Sequence, residues 1–260
     1  MKIKPRLRSW KKILIITLLS VIGVMFVLYL WLDEPLPSGK SGPEADALAR
    51  KMMRAVNIAQ WDSTGAVSWQ LRDIHRLLWD RTRNFARVRW EDYEVLVDVN
   101  TQHGVAREEG RMLTGATATD LVNEGWRYWV NDAFWLNPLA KLFDPGTVRQ
   151  LVKLPGGQDG LLITYTSGGV TPGDSYLWRA DETGLPYSWQ MWVSILPIGG
   201  LEFSWEKWIT LSTGAKIATY HRGKFVDTYL SEVKAARTLK ELVPEEDPFA
   251  ALLKLNEAHQ

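Results

Sequence analysis

The 260-residue chain contains no cysteine. That excludes a disulfide framework, a cysteine-ligated zinc site, a thiol nucleophile and lipid attachment through a cysteine. It suits an oxidising compartment without requiring one. Histidine is nearly as scarce. His75, His103, His221 and His259 are the four present, and no two of them stand at a metal-ligand spacing such as HExxH. Neither a metal ion nor a cofactor is therefore expected. The phosphate-cradling patterns GxGxxG and GxxxxGK are missing, and so is the GxSxG nucleophile elbow of hydrolases. No basic stripe exists beyond residue 32, where 25 basic residues face 30 acidic ones, a net of −5 hidden within a whole-chain charge of +1. Nucleic acid is not an expected partner.

What is abundant is tryptophan, at 14 residues beside 8 tyrosines and 7 phenylalanines. Such rings combine a large apolar area with a polar edge, and they suit strands, interfaces and half-wet cavities. With 46% hydrophobic and 23% charged residues, the composition is that of a globular protein.

Residues 1–12, MKIKPRLRSWKK, carry six basic residues and no acid. Residues 13–32, ILIITLLSVIGVMFVLYLWL, carry no charge, and as a helix they span about 30 Å of hydrocarbon. Trp10 lies near one end and Tyr29 and Trp31 near the other, where aromatic residues prefer the membrane interface. The charge asymmetry leaves the basic tail in the cytoplasm and sends the remainder across. A cleaved signal peptide is the competing interpretation. It calls for a shorter apolar run and a small-x-small site, and YLWLDEPLPSGKSG offers no such pair beside the run. An uncleaved anchor is the expectation.

Residues 33–43, DEPLPSGKSGP, are predicted to be a linker, and 44–260 a single domain. Ala45, Leu48, Met52, Val56 and Ala59 repeat at helical spacing. From Val67 to about residue 109 short alternating runs predict strands, broken by turns near 81–84 and 101–104. Residues 119–143 return to helical spacing, with Thr119 or Asp120 as N-cap, a break at Asn137-Pro138 and a stop at Asp144-Pro145-Gly146. Strand patterns resume from Thr147 to about 235, with TPGD (171–174), DETG (181–184) and LSTG (211–214) as turns. A short helix led by Asp247-Pro248 closes the chain. The predicted fold is mainly β with inserted helices (α+β). It is a curved antiparallel half-barrel of about 11 strands with a helical lid, preceded by one transmembrane helix.

A curved sheet with alternating Trp and Tyr, covered by a Trp-rich helix, encloses an apolar hollow. Trp69, Trp90, Trp126, Trp129, Phe134, Trp135, Leu139, Trp189 and Trp205 are the candidate lining. A filled core made by the same residues is the alternative. A void above about 300 Å³ under 126–143 would separate the two. Asn131, Asp132, Asp144, Pro172 and Asp174 are expected to pin the lid and its turns. A hydrolase using Asp132 and Asp174 is the catalytic alternative, and no catalytic residue is expected.

The stretch WVNDAFWLNPLAKLFDPG sets Asn131, Asp132, Phe134, Trp135, Leu136, Pro138, Lys141, Leu142, Asp144, Pro145 and Gly146 in a distinctive order. In GGVTPGDSYLWRADETG, Thr171, Pro172, Gly173, Asp174 and Tyr176 do the same. Together with the order of elements over residues 44–235, these stretches resemble a membrane-anchored branch of the LolA/LolB-like superfamily, the periplasmic lipoprotein carriers and localisation factors. Two features depart from the carriers: a retained membrane helix, and Asn137 where an apolar residue is expected. The resemblance implies a half-barrel open to an acyl chain, in a single-pass protein of the bacterial inner membrane with its C-terminal domain periplasmic. The implied function is non-catalytic binding of a lipid, a lipoprotein acyl chain or a similar lipophile. The alternative is an envelope scaffold whose filled core docks a protein partner.

Overall fold

A computed structural model describes residues 7–258, so residues 1–6 of the basic tail and His259 lie outside the described residues. Helix α1, Leu7–Leu32, comes first, and its part Lys12–Leu32 is long and apolar enough to cross a membrane, with none of its described side chains buried. A signal sequence meets the same criteria of length and composition.

Helix α2, Pro43–Ala55, buries Ala45, Ala49 and Met52, as its periodicity predicts. Asn57 then takes a left-handed conformation (φ 56°) and starts a separate short helix, α3, Ile58–Asp62. Strands β1 (Ala66–Leu71), β2 (His75–Asp80), β3 (Phe85–Trp90), β4 (Tyr93–Asp98), β5 (Gly104–Glu108) and β6 (Arg111–Met112) form a meander. Helix α4, Gly115–Leu136, and a 3-10 turn at Pro138–Lys141 follow. Next come β7 (Thr147–Lys153), β8 (Asp159–Tyr165), β9 (Ser175–Ala180), β10 (Pro186–Trp192) and β11 (Leu201–Ser204). The chain ends with β12 (Glu206–Thr210), β13 (Lys216–His221), β14 (Thr228–Ala236), α5 (Leu239–Leu242) and α6 (Ala250–Ala258).

The strands make two antiparallel sheets, ordered β12-β13-β14-β1-β2-β3-β4-β5-β6 and β11-β10-β9-β8-β7. A bridge between Phe203 and Gly223 links them where β11 gives way to β12. The result is a mainly antiparallel half-barrel with inserted helices. The strands number 14 instead of about 11 for two chief reasons. The run predicted over 201–208 is split in two, with Lys207 in a left-handed conformation (φ 51°), and β6 is too short to show a period. Helix α4 starts at Gly115, with Thr114 as N-cap in place of Thr119 or Asp120. Gly115, Thr117 and Thr119 are weak helix formers and GATAT carries no apolar period, so nothing local marks this first turn.

Alternation along the strands sorts their side chains between layers. On β3, Ala86, Val88 and Trp90 join the main core, whereas Phe85 packs outside with Phe249 and Leu252 of the C-terminal segment. On β8, Leu161 and Ile163 face inward, and Leu162 packs with Val152 and Leu177 on the outer side. Helix α4 lies between the sheets. Val122, Trp129, Ala133 and Leu136 are buried along it, each larger side chain contributing about 1.5–3 kcal/mol. Gly125 permits this packing, since a Cβ there would stand 2.9 Å from Cβ of Val95 on β4.

Residues 33–40 are not a free linker. Asp33 accepts from the Gly199 N–H (2.8 Å), and the Glu34 carbonyl accepts from the Trp192 indole (2.7 Å). The Glu34 carboxylate accepts from Gln190 (2.8 Å). Lys40 exchanges backbone hydrogen bonds with Leu151 at 2.9 and 2.8 Å, extending the edge of β7. The Pro and Gly content that suggested a linker instead serves a close strap, for the strand edge supplies the backbone partners that these residues cannot supply to one another. A Cβ at Gly199 would fall 2.3 Å from Cδ1 of Trp192. Gly199→Ala should therefore loosen the strap, and trypsin cleavage after Lys40 should quicken about tenfold, the effect of weakening it by ~1.4 kcal/mol. An unchanged cleavage rate would contradict the clamp.

Candidate ligand cavity

Helix α4 packs one side on β3–β5 and turns the other toward β8–β10, and between it and those strands lies a cavity of about 580 Å³. Its floor and walls are largely aromatic. The Phe134 ring sits 5.5 Å from Tyr165, 5.0 Å from Tyr176 and 5.7 Å from Trp189. Trp135 packs against Trp189 (5.1 Å), Phe203 (5.2 Å) and His221 (5.2 Å). Toward the other end Trp129 meets Trp79 edge-on at 5.1 Å, and Trp79 lies 6.4 Å from Trp61. The loops 167–171 and 193–196 form the rim, contributing Val170, Ile195 and Leu196.

Polar groups are few and mostly engaged. Asp174 accepts from the Thr171 hydroxyl (2.5 Å) and from the Ser194 N–H (2.9 Å), so it ties the two rim loops together. Lys141 pairs with Asp144 at 3.3 Å across one turn. Arg81 lies 4.5 Å over Trp61 and donates to the Thr64 carbonyl (2.6 Å) and to the Trp61 carbonyl. Burial lowers the Arg81 pKa below its ordinary value. Five lining residues, Arg81, Trp129, Asn137, Tyr165 and Trp189, carry a buried N–H or O–H with no hydrogen-bond partner among the described residues. Burial also raises the Tyr165 and Tyr176 phenols well above their usual range, so both stay protonated and able to donate.

The helix is pinned from beneath. Asp132 is fully buried, and its carboxylate meets Nδ1 of His75 on β2 at 2.7 Å and accepts from the Asn131 amide at 2.9 Å. Tyr128, one turn earlier, stacks on the His75 ring at 4.1 Å and donates to Glu124 at 2.6 Å. That last bond pushes the Tyr128 phenol up to about 12.

Of the residues predicted from sequence, Trp126, Trp129, Phe134, Trp135 and Trp189 line the cavity, together with Asn131, Asp144 and Asp174. Trp69, Trp90, Leu139 and Trp205 do not. Trp69 and Leu139 are sealed in the core, Trp90 is covered by Tyr93 and Tyr128, and Trp205 is enclosed by Trp178, Trp189, Trp208 and His221. Asp132 and Pro172 also lie off the cavity surface. Sequence reasoning missed Trp61, Trp79, Arg81, Tyr165, Tyr176 and the rim loops. Tyr176 was within reach, because it alternates with the inward-facing Trp178, but nothing local marks the loops. Among the described residues no three His, Asp or Glu side chains gather into a metal donor set.

No protein-family model matches the chain, and no curated protein matches it. Among solved structures, the chain is similar to a DUF1329 family protein from Desulfovibrio piger. Identity is 13%, 79% of this chain and 96% of that one are covered, and the TM-score is 0.39.

Two predictions concern the walls. Replacing Asp132 with Ala strands His75 and opens a void, and it should cost about 3 kcal/mol, read as a lowered midpoint in thermal or urea unfolding. His221 is fully buried, its Nδ1–H donates to the Ser204 carbonyl at 3.1 Å, and burial lowers its pKa to about 4. Below about pH 6.5 the unfolded chain takes up the proton before the folded one does, so stability falls as pH drops. The loss should reach about 3 kcal/mol by pH 4. Unfolding of wild type and His221→Phe across that window should show a clearly larger loss in wild type, the lowered carboxylates contributing equally to both.

Proposed function

We propose that the protein is a membrane-tethered periplasmic module that binds a lipid, a lipoprotein acyl chain or a similar lipophile, without catalysing a reaction on it. The observation that carries this reading is the aromatic cavity of about 580 Å³ beside α4, within the size range of ligand pockets. It exceeds the void of about 300 Å³ that would separate a cargo site from a filled core. Each methylene that leaves water contributes about 0.8 kcal/mol, so an acyl chain needs few polar contacts to bind.

On this reading the protein is a LolA/LolB-like carrier that stays tethered. Helix α1 is its single inner-membrane anchor, and the basic tail remains in the cytoplasm. The non-catalytic role is supported by the state of the carboxylates. Asp132 is held by His75 and Asn131, and Asp174 by Thr171 and Ser194. The scaffold alternative draws on the fully buried Trp69, Trp178 and Trp189, which fill much of the interior. It predicts one dominant protein neighbour in cellular crosslinking.

Native mass spectrometry of the full chain, extracted from its own host in mild detergent, should show a retained lipophile. A ligand-free protein that also fails to bind a fluorescent fatty acid would refute the reading. Val130→Trp, which fills space at the cavity wall, should weaken fatty-acid binding by about tenfold or more while leaving the unfolding midpoint near that of wild type.

A further inference from the structure

The register of the five-stranded sheet sorts its connections into two ends. Thr164 pairs with Ser175, Thr147 with Tyr165, and Trp192 with Ser175, so the loops 166–174 and 193–200 leave the sheet at one end. Lys153 pairs with Asp159 and Pro186 with Ala180, so the turns 154–158 and 181–185 leave it at the other. A third loop, 222–227, joins the first end. Arg222 bonds to Ser204 and Gly223 pairs with Phe203, so the residues that follow run alongside β11 toward Leu201, which pairs with Met191.

Helix α1 emerges at that same end with no slack. Leu32 is its last residue, and Asp33 and Glu34 are already bonded to Gly199, Trp192 and Gln190. On the neighbouring loop, Nζ of Lys224 lies 4.9 Å over the ring of Trp31. The loops beside these contacts carry bare apolar side chains. Ile195 is 73% exposed, Phe225 62%, Val170 44% and Val226 43%, next to Trp31 at 75% on the last turn of α1. The loop 222–227, RGKFVD, adds Arg222 and Lys224 to its aromatic and aliphatic tip. Apolar side chains with basic neighbours form the pattern of segments that lie in a headgroup layer. Val170, Ile195 and Leu196 also line the cavity, so its rim belongs to this end.

The geometry points to a second membrane contact: the loops 166–174, 193–200 and 222–227 sit in the interfacial layer of the bilayer that α1 crosses, and the cavity opens onto the lipid surface. The partner is the phospholipid bilayer itself, with its phosphate groups beside Arg222 and Lys224. The inference rests on α1 as an anchor and not on what the cavity holds. A short anchor fused to a body by a clamp limits how far those side chains can stand from the headgroups. Their burial there removes apolar area that the fold leaves in water.

The absence of cysteine makes the test direct. Single cysteines are placed by Ile195→Cys and Phe225→Cys, and at the opposite end by Gly156→Cys and Thr183→Cys, in the full chain. Each is labelled with an environment-sensitive fluorophore and reconstituted in nanodiscs that contain lipid spin-labelled near the headgroup. Residues 195 and 225 should be quenched about twofold or more strongly than 156 and 183, with emission shifted to the blue, as for groups buried 5–10 Å into the headgroup boundary. Incorporation with equal quenching at all four positions would overturn the seating while leaving the anchor in place. Failure of the chain to incorporate would overturn the anchor and the seating together.

Discussion

A helix laid in the hollow of a β-sheet has to press its backbone against the strands along part of its length and stand away from them along the rest. Helix α4 does both, and the site depends on it. Contact is set by Gly125, where only a missing Cβ lets the helix approach Val95, and by the buried bond between Asp132 and His75. Away from that pinned face the helix turns Val130, Phe134 and Trp135 toward β8–β10 without touching them everywhere, Trp129 packs on Trp79 of β2 at one end, and the space left over is the cavity. If α4 slid toward β8–β10 the cavity would close, and if it lifted from β4 the main core would be exposed. A directional hydrogen bond largely screened from water holds one geometry better than apolar contact, which tolerates sliding.

The tryptophans divide between two jobs for which composition alone is blind. Trp69, Trp178 and Trp205 are interior filler, and Trp178, Trp189 and Trp205 pack ring against ring in a contiguous stack that ends on His221. Trp126, Trp129 and Trp135 keep part of their surface toward the cavity. Trp189 does both, with one side in the stack and the other against Phe134. Because the stack is stiff, the cavity wall it supports is preformed. Ordering that wall on binding adds little entropic cost, which favours affinity for a featureless chain.

Much of the architecture was legible in the sequence, since alternation and helical spacing are direct consequences of burial on one face. The break at Asn137-Pro138 and the glycines of the turns at 173, 184 and 214, all at positive φ, follow from backbone sterics that any reader of the chain can apply. The legible part of the site was chiefly its helix: four of its predicted aromatic residues reach the cavity, joined by Trp189 of β10. What could not be read was pairing across the fold. Trp69 and Trp135 look alike in one dimension, and only the register of the sheets decides which is sealed. The partnership of His75 with Asp132, 57 residues apart, leaves no local trace. Residues 33–40 carried linker composition, yet the strand edge that holds them lies more than a hundred residues away.

The central claim is that the space beside α4 is a site for cargo. It is tested most directly by a crystal or cryo-electron structure of the full chain purified from its own host without delipidation. The account predicts continuous elongated density between Phe134, Trp135 and Tyr176, leading out past the loops 167–171 and 193–196. A cavity holding only ordered water, or one closed by inward movement of those rings, would contradict it.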